Sequence, residues 1–385
     1  MSVPAGTGMG RPELRGVALR ALRRILALAA VLLAVAVGVS AFRLAAYGRR
    51  RPPARQFSAT APPGSVVVPG VRGLLLVSRF PDCIRVSRIS EKGVAVDATG
   101  PTGAAISRGD GTVTVARPDT GGVRTFAADG VPAPPMLPKM PGVIMAASNA
   151  ADSGAAVVVE SSEPGCFKVR LVGAQGRARW DHQASGTPLY LRGWGGGIYT
   201  ITALQAKDYP STSIHIVTDA GCRETESVPG LVRCLSVSKE AGIVAAGSST
   251  CVYAYDLQGR LRWCAEPGGR PVDVSAAEDG VMVAVRKIPG NGLRSLFMRD
   301  SVAMYDLRGT RLWRIDVGRG VTRVRRYERG VVVGTSSSVV ALSASGEVLW
   351  ELRTDSPVAG LEVSRDGDVL HVSTEAGEVS SYAFR

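Results

Sequence analysis

The nonapeptide Tyr255–Trp263, YDLQGRLRW, decides how this chain is expected to fold. Its polar turn ends at Gly259, and Trp263 follows four residues later. The same glycine-to-tryptophan spacing recurs at Gly176 and Trp180, Gly309 and Trp313, and Gly346 and Trp350. Three weaker copies keep only the glycine, at Gly93, Gly130 and Gly221. The successive glycines are 37, 46, 45, 38, 50 and 37 residues apart, a period typical of solenoids and propellers.

Each repeat is predicted to contain four short strands. Residues 251–257, CVYAYDL, alternate and are rich in β-branched and aromatic residues, as half-buried strands are. The turn that ends at Gly259 reverses the chain, because glycine tolerates a positive φ, and RLRW forms the partner strand. Two more strand-like runs, at 231–237 and 242–248, precede this hairpin. Four strands per repeat make one propeller blade.

The last repeat has three strand-like runs after Trp350 and then ends at Arg385. A ring of blades must close, since otherwise two sheet edges stay open. We therefore expect an N-terminal strand at residues 65–68 to complete the final blade. Seven glycine-marked blades and this composite one predict an all-β, eight-bladed propeller of four-stranded antiparallel blades over residues 65–385. Seven blades is the alternative, because the unit before Gly93 is short.

The charge of the chain is concentrated near its N-terminus. The formal net charge is +13, yet residues 1–55 hold ten arginines and one acid, which leaves +4 for the other 330 residues. Most of the basicity therefore flanks a hydrophobic segment. We expect no nucleic-acid partner, since a binding domain would carry its charge on the folded surface.

Residues 25–42 contain no charged side chain and are predicted to form a transmembrane signal-anchor helix. Residues 1–24 form a basic tail, and residues 43–64 a tether rich in proline and arginine. A cleaved signal peptide is the alternative, with a cleavage site near Val39-Ser40-Ala41. Arginines are equally numerous on both sides, so the positive-inside rule does not fix the orientation. The short tail and the even number of cysteines favour a single-pass protein of the cytoplasmic membrane with an extracytoplasmic propeller.

The repeat V-x-A-Y/L-D-x-x-G-x-x-x-W resembles the pyrroloquinoline-quinone-type repeat of quinoprotein-like β-propellers. The resemblance is strongest over residues 250–385 and weak before residue 150. It implies that the tryptophan of each repeat docks between neighbouring blades, a role for Trp180, Trp263, Trp313 and Trp350. Relatives are either large quinone-dependent dehydrogenases or non-catalytic scaffolds such as the outer-membrane-assembly propeller lipoprotein. The dehydrogenases carry adjacent cysteines and a calcium site; this chain has no adjacent cysteines and no carboxylate cluster with ligand spacing.

The sequence contains no HExxH, CxxC or Walker motif, so we expect no enzyme activity, no cofactor and no metal site. His215 and His371 lie within strand-like runs and are interpreted as structural. Two cysteine pairs are candidate disulfides: Cys251 with Cys264, and Cys222 with Cys234. The first pair is directly opposed if the hairpin loop has two residues, whereas a bulge at Gly259 would place its members on opposite faces. Buried free thiols are the alternative.

These features favour a membrane-anchored, non-enzymatic scaffold that binds another protein of a bacterial cell envelope. The long insertion 287–300 is the candidate interaction loop, because it sets three apolar residues beside basic ones: Leu296, Phe297 and Met298. The alternative is a ligand-sensing or enzymatic propeller that binds a quinone or a sugar in its central channel.

Overall fold

The computed structural model describes residues 52–385, apart from the gaps 63–64, 70–73, 82, 91–92, 102–104, 110, 118–119, 121, 129–140, 150–153, 174–175, 206–208, 289–298, 329, 365 and 385. Within these residues the secondary structure consists of β-strands, as predicted. The segment 25–42, the basic tail and most of the tether lie outside the described residues. In the described part of the chain, no helix has the length and apolar character needed to cross a bilayer.

Six four-stranded antiparallel sheets form regular blades. Four of them are built from consecutive strands in the C-terminal two thirds of the chain. One contains β9 (Val143–Ser148), β10 (Ala155–Glu160), β11 (Cys166–Val172) and β12 (Ala178–Ser185), and another contains β18 (Cys234–Ser238), β19 (Ile243–Gly247), β20 (Val252–Asp256) and β21 (Leu261–Ala265). The next two contain β22 (Arg270–Ala277), β23 (Gly280–Arg286), β24 (Asp300–Tyr305) and β25 (Arg311–Gly318), and β26 (Arg323–Tyr327), β27 (Gly330–Gly334), β28 (Ser338–Ser343) and β29 (Val348–Arg353). The fifth lies near the N-terminus: β2 (Val66–Pro69), β3 (Leu74–Arg79), β4 (Cys83–Ser90) and β5 (Gly93–Pro101).

The sixth blade joins the two ends of the described chain. The strand β1 (Ala54–Thr60) pairs antiparallel with β32 (Glu378–Ala383), which continues to β31 (Val369–Thr374) and β30 (Val358–Val363). The expected closure is present, but its donor was predicted wrongly. The closing strand comes from within the range assigned to the tether, and Val66–Pro69 instead begins a blade of its own. An exposed polar strand such as ARQFSAT carries little apolar signal, because it covers an edge and packs on one face only.

The remaining strands form one larger sheet. It contains β6 (Ala105–Gly109), β7 (Thr112–Arg117) and β8 (Gly122–Ala127), together with β13 (Thr187–Gly193), β14 (Tyr199–Gln205), β15 (Ser211–Thr218), β16 (Gly221–Glu224) and the short β17 (Val228–Pro229). The two groups are joined by a parallel pairing of Arg108 with Arg192. The predicted count of eight blades, or seven, is therefore wrong: the described residues form six four-stranded blades. Marker glycines count hairpins, and a parallel bridge that merges two units leaves no mark in the repeat.

Hydrophobic cores lie between successive sheets. Val274 and Val283 of one blade share a core with Ile243 and Trp263 of the preceding blade. A matching cluster joins Val379 of the last blade to Val67 and Leu76 of the first complete blade. Because the last sheet packs on the first in this way, the described strands form a closed ring.

The first strands of the units run parallel to one another in the middle of the ring. Asp273 of β22 accepts a hydrogen bond from the amide of Val324 in β26, and two residues later Ser275 accepts one from the amide of Arg326. Connections from first to second and from third to fourth strands therefore lie on one face, the exit face, which includes loops 194–198, 239–242 and 257–260. The remaining connections lie on the opposite, entry face, which includes loops 209–210, 230–233 and 287–288.

Candidate functional site

The repeated tryptophans lie between units. The Trp263 ring stacks on Tyr305 of the following blade, with ring centroids 5.7 Å apart. It also covers Gly309, where an added methyl group would lie 2.7 Å from Trp263 Cγ. Gly309 has a φ of +86°, so its turn needs glycine both for the backbone conformation and for the close approach of the indole.

The other tryptophans have similar surroundings. Trp313 donates a hydrogen bond from Nε1 to the carbonyl oxygen of Ala344, 2.8 Å away in the next blade, beside Gly346. Trp350 belongs to the core that contains Leu361 of the following blade. Trp180 packs against the core between its own blade and β13–β14. Each tryptophan therefore fastens its unit to the next one.

Five marker glycines adopt positive φ values in the turns between third and fourth strands: Gly176, Gly221, Gly259, Gly309 and Gly346. The turns are closed by side chains as well. Asp306 Oδ1 accepts hydrogen bonds from the amides of Arg308 and Thr310. The Thr310 amide, and then that of Arg308, lowers the pKa of Asp306. Gly93 begins a strand, and Gly130 lies outside the described residues.

All six cysteines are free thiols. Cys264 pairs with Tyr253 after one register shift, between Ala254 and Tyr255, and Cys251, two residues before Tyr253, therefore lies on the same face as Cys264, diagonally across the hairpin. Burial, followed by the nearby Cys251, raises the pKa of Cys264. Cys222 and Cys234 pack in different inter-unit cores, so the structure does not bring this second pair together.

The interaction loop proposed from sequence is described only at its base. Leu296, Phe297 and Met298 lie outside the described residues. Asp300 Oδ1 accepts a hydrogen bond from the Lys287 amide, 2.9 Å away, and joins the two ends of the loop. Ile288, the next residue, is 62% exposed on the entry face.

Two more exposed apolar side chains lie on the entry face, in neighbouring loops. Tyr209 is 83% exposed and Leu231 is 44% exposed. The Gly230 amide donates to the Pro210 carbonyl, 2.9 Å away, so the loops that carry Tyr209 and Leu231 are held side by side. We call Tyr209, Leu231 and Ile288 the entry-face apolar residues. Sequence reasoning missed Leu231 because it assigned this residue to the strand-like run 231–237, whereas the strand begins at Cys234.

The histidines do not form an open catalytic site. His215 is fully buried, with Nε2 3.2 Å from Ser213 Oγ, and Ser213 is fully buried too. Burial lowers the pKa of His371 to about 4, and its Nδ1 lies 2.8 Å from Ser381 Oγ. Among the residues described, no group of three or more histidines, cysteines or carboxylates is placed to hold a metal ion.

The channel between the first strands contains a cluster of charges that the sequence did not reveal. Arg325 of β26 is its centre: its Nε and Nη2 donate to the two carboxylate oxygens of Glu362 in β30, at 3.1 and 3.2 Å. Its Nη1 donates to Asp273 Oδ2 in β22, 2.6 Å away. Three neighbouring first strands are thus clamped by one guanidinium group.

Two further arginines reach the same place from the larger sheet. Arg108 Nη1 lies 3.6 Å from Glu362 Oε1. The guanidinium of Arg192 stacks over the Trp194 ring, 4.0 Å from its centroid, and its Nε is buried without a hydrogen-bond partner. Their parallel pairing places these two side chains on the same side of the sheet. We call Arg108, Arg192, Asp273, Arg325 and Glu362 the channel cluster.

The pKa values within the cluster show which charges are balanced. Burial alone would raise the pKa of Glu362, but the charge and hydrogen bonds of Arg325 outweigh it and bring the value to about 2. Burial is the largest of the effects that bring the pKa of Arg192 down to about 10; Glu362 opposes this change, and the nearby Arg108 and Arg325 contribute to it. Arg325 is paired directly with two carboxylates, whereas Arg192 is paired with none among the described residues.

Comparison with known proteins gives a fold and no family. No protein-family model and no curated protein matches the chain. Solved structures do match. BamB from Moraxella catarrhalis is 15% identical with a TM-score of 0.54, over 86% of this chain and 100% of that one. Saccharomyces cerevisiae Sqt1 is 9% identical with a TM-score of 0.57, over 87% and 100%. The C-terminal WD40 domain of Sif2 is 12% identical with a TM-score of 0.57, over 87% and 99%.

The chain folds as a β-propeller. At these identities the likeness shows the architecture alone. Because BamB and WD40 propellers are similar to this propeller to comparable degrees, the resemblance of its repeat to the quinoprotein-like branch stays a prediction.

Proposed function

We propose that this propeller is a non-enzymatic scaffold that binds another protein through its entry face, and that residues 25–42 anchor it in the cytoplasmic membrane with the ring on the extracytoplasmic side. The exposed entry-face apolar residues carry the proposal. Tyr209 and Leu231 are exposed in adjacent loops, and Ile288 is exposed on the same face; large apolar side chains exposed side by side are typical of contact surfaces.

Two other observations support a scaffold. The tryptophans and inter-unit cores fasten each unit to the next, so the loops project from a rigid support. The solved structures that resemble it include BamB and two propellers of other kinds. Propellers of this shape serve many unrelated functions, so the surface has to be tested directly.

The entry face can be tested by photo-crosslinking in cells. A photoreactive amino acid at Tyr209 or Ile288 should give a crosslinked product with one defined envelope protein. Gln258 and Arg308, exposed in exit-face turns, are the matched control positions. Products of equal yield from both faces, or from neither, would contradict the proposal.

The side of the membrane can be tested through Cys264, which is exposed. After mild reduction, which opens any link to Cys251, a membrane-impermeant maleimide should label it in intact cells as completely as after lysis. Replacement of Cys264 by serine is the control that assigns the label to this thiol. Labelling that requires lysis would place the ring in the cytoplasm and reject the proposed orientation.

A further inference from the structure

The channel cluster contains more positive than negative charge. Arg108, Arg192 and Arg325 face two carboxylates, Asp273 and Glu362, and Arg323 lies near enough to lower the pKa of Arg108 as well. The excess lies near the exit face, because Arg108 and Arg192 are the penultimate residues of β6 and β13.

The two carboxylates are already engaged. Both oxygens of Glu362 accept from Arg325, and Asp273 Oδ2 accepts from Arg325 and from the Val324 amide. Arg108 therefore has only the 3.6 Å contact with an oxygen that Arg325 already binds. In the described part of the chain, Arg192 has no carboxylate partner at all; it rests on Trp194.

Arg192 is fixed in place, although it is not neutralised. Its guanidinium plane lies on the Trp194 ring, whose Nε1 donates to Thr200 Oγ1 at 2.7 Å, so the ring is held as well. The unpartnered Nε atom is sealed from solvent. A pre-organised guanidinium that lacks an anionic partner is a favourable site for an oxyanion, since charge-assisted hydrogen bonds are stronger than neutral ones.

The site can be reached from solvent. The Arg108 side chain keeps 34% of its surface exposed within the channel. A depression of about 430 Å³ opens on the exit face at Arg325 and Glu362, lined also by residues of the loops that follow β22, β26 and β30; Arg108 and Arg192 are not among its lining residues. It brings solvent to the Glu362 end of the cluster, and it can hold a small molecule but not a folded protein.

We propose that Arg108 and Arg192 bind a compact oxyanion, a phosphate or a small dicarboxylate, at the exit-face end of the channel. The anion neutralises the excess charge that the cluster leaves between the two arginines. Arg325 stays in its clamp and positions the neighbouring strands. This site is separate from the entry face, so it does not depend on the scaffold function.

The test is calorimetric titration of the full-length protein in detergent with inorganic phosphate, with sulfate and with succinate, in a chloride background. At least one of these anions should bind with one-to-one stoichiometry and quench or shift tryptophan fluorescence, and replacement of Trp194 by phenylalanine should remove most of that signal. Phosphate binding without succinate binding identifies a tetrahedral anion as the ligand, and the reverse identifies a dicarboxylate.

Variants distinguish a binding site from a structural cluster. Arg192→Gln and Arg108→Gln should each weaken anion binding at least tenfold. Arg192→Lys should weaken it less, because lysine keeps the positive charge although it loses the paired N–H donors of the guanidinium group. Arg326→Gln is the control: Arg326 pairs with Asp279 next to the cluster and should leave the affinity unchanged within twofold.

Circular dichroism and thermal melting of each variant show whether it folds. If none of the anions binds more tightly than chloride, or if a folded Arg192→Gln protein binds like the wild type, the proposal is overturned. Equal weakening by Arg326→Gln would also overturn it, because binding would then follow general surface charge.

Discussion

Gly309 is required both for the backbone conformation of its turn and for the close packing of Trp263. Its φ is +86°, and the indole of Trp263 occupies the space that a side chain would need. Gly309→Ala should lower the free energy of unfolding by about 2–4 kcal/mol, combining left-handed backbone strain with overpacking. Denaturant unfolding monitored by fluorescence measures it.

Gly367 supplies the matched control for that experiment. Its φ is +80°, yet an added methyl group there would have no neighbour within 4 Å. Gly367→Ala should therefore show backbone strain alone, about 1–2 kcal/mol. Equal losses for the two variants would mean that contact with Trp263 adds nothing.

The thiols of Cys251 and Cys264 remain a candidate disulfide. They share one face of a hairpin, and Cys251 is near enough to raise the pKa of Cys264, so an added mild oxidant should link them and take up their two hydrogens. Mass spectrometry of tryptic peptides detects the link. Cys222 and Cys234, in separate cores, should stay reduced under the same conditions, and a Cys222–Cys234 peptide would contradict the structure.

His371 should make the stability depend on mildly acidic pH. Burial lowers its folded-state pKa to about 4, against the weaker opposing effects of Glu362 and Asp366. A histidine whose pKa is lower in the folded state than the unfolded value of roughly 6.5 stabilises the folded protein fully only above pH 6.5. This contribution to the free energy of unfolding, up to about 3 kcal/mol, is lost as the pH falls towards 4.

Replacement of His371 by asparagine tests this dependence. The variant should show a shallower slope between pH 6.5 and 4, where His215, whose pKa is also lowered by burial, still contributes. It should keep the slope at lower pH, where Glu362, with its pKa lowered to about 2, is protonated. Urea midpoints measured across this range report both slopes. An unchanged slope above pH 4 would show that another group titrates there.

At the scale of elements, the sequence predicts most clearly what repeats. The turns at Gly259, Gly309 and Gly346 and their following strands could be read because each needs the same backbone and packs on the same neighbour. β1 could not be located in this way: its burial is low, and its pairing with β32 depends on residues more than 300 positions away. The parallel bridge of Arg108 and Arg192 is also non-local and occurs at one residue pair.

The channel cluster was invisible for the same reason. Its five members come from five strands that are far apart in the chain, and nothing in the residues beside any one of them marks it as a member. Their convergence follows from the curvature of the ring, which no local pattern encodes. Leu296, Phe297 and Met298, in contrast, were chosen from composition alone, and they stay a prediction.

For the whole molecule, closure by β1 predicts how truncation acts. Deletion of residues 1–51 should leave a cooperatively folding ring, whereas deletion of residues 1–61 removes β1 and Ala61 and exposes the edge of β32. The longer deletion should lower the melting temperature and promote association. Light scattering and thermal melting compare the two, and equal behaviour would show that β1 is dispensable.

The seam between β1 and β32 also sets where the ring is mechanically weakest. In the other four-stranded blades the strands follow one another in the chain. In this blade the outermost pair, β1 and β32, is joined only by backbone hydrogen bonds and side-chain contacts, among them the ion pair of Arg55 and Glu378. Tension applied to the chain ahead of Pro53 falls first on that ladder. Under tension the ring therefore opens by separation of β1 from β32, and mechanical unfolding starts in the blade that joins its two ends.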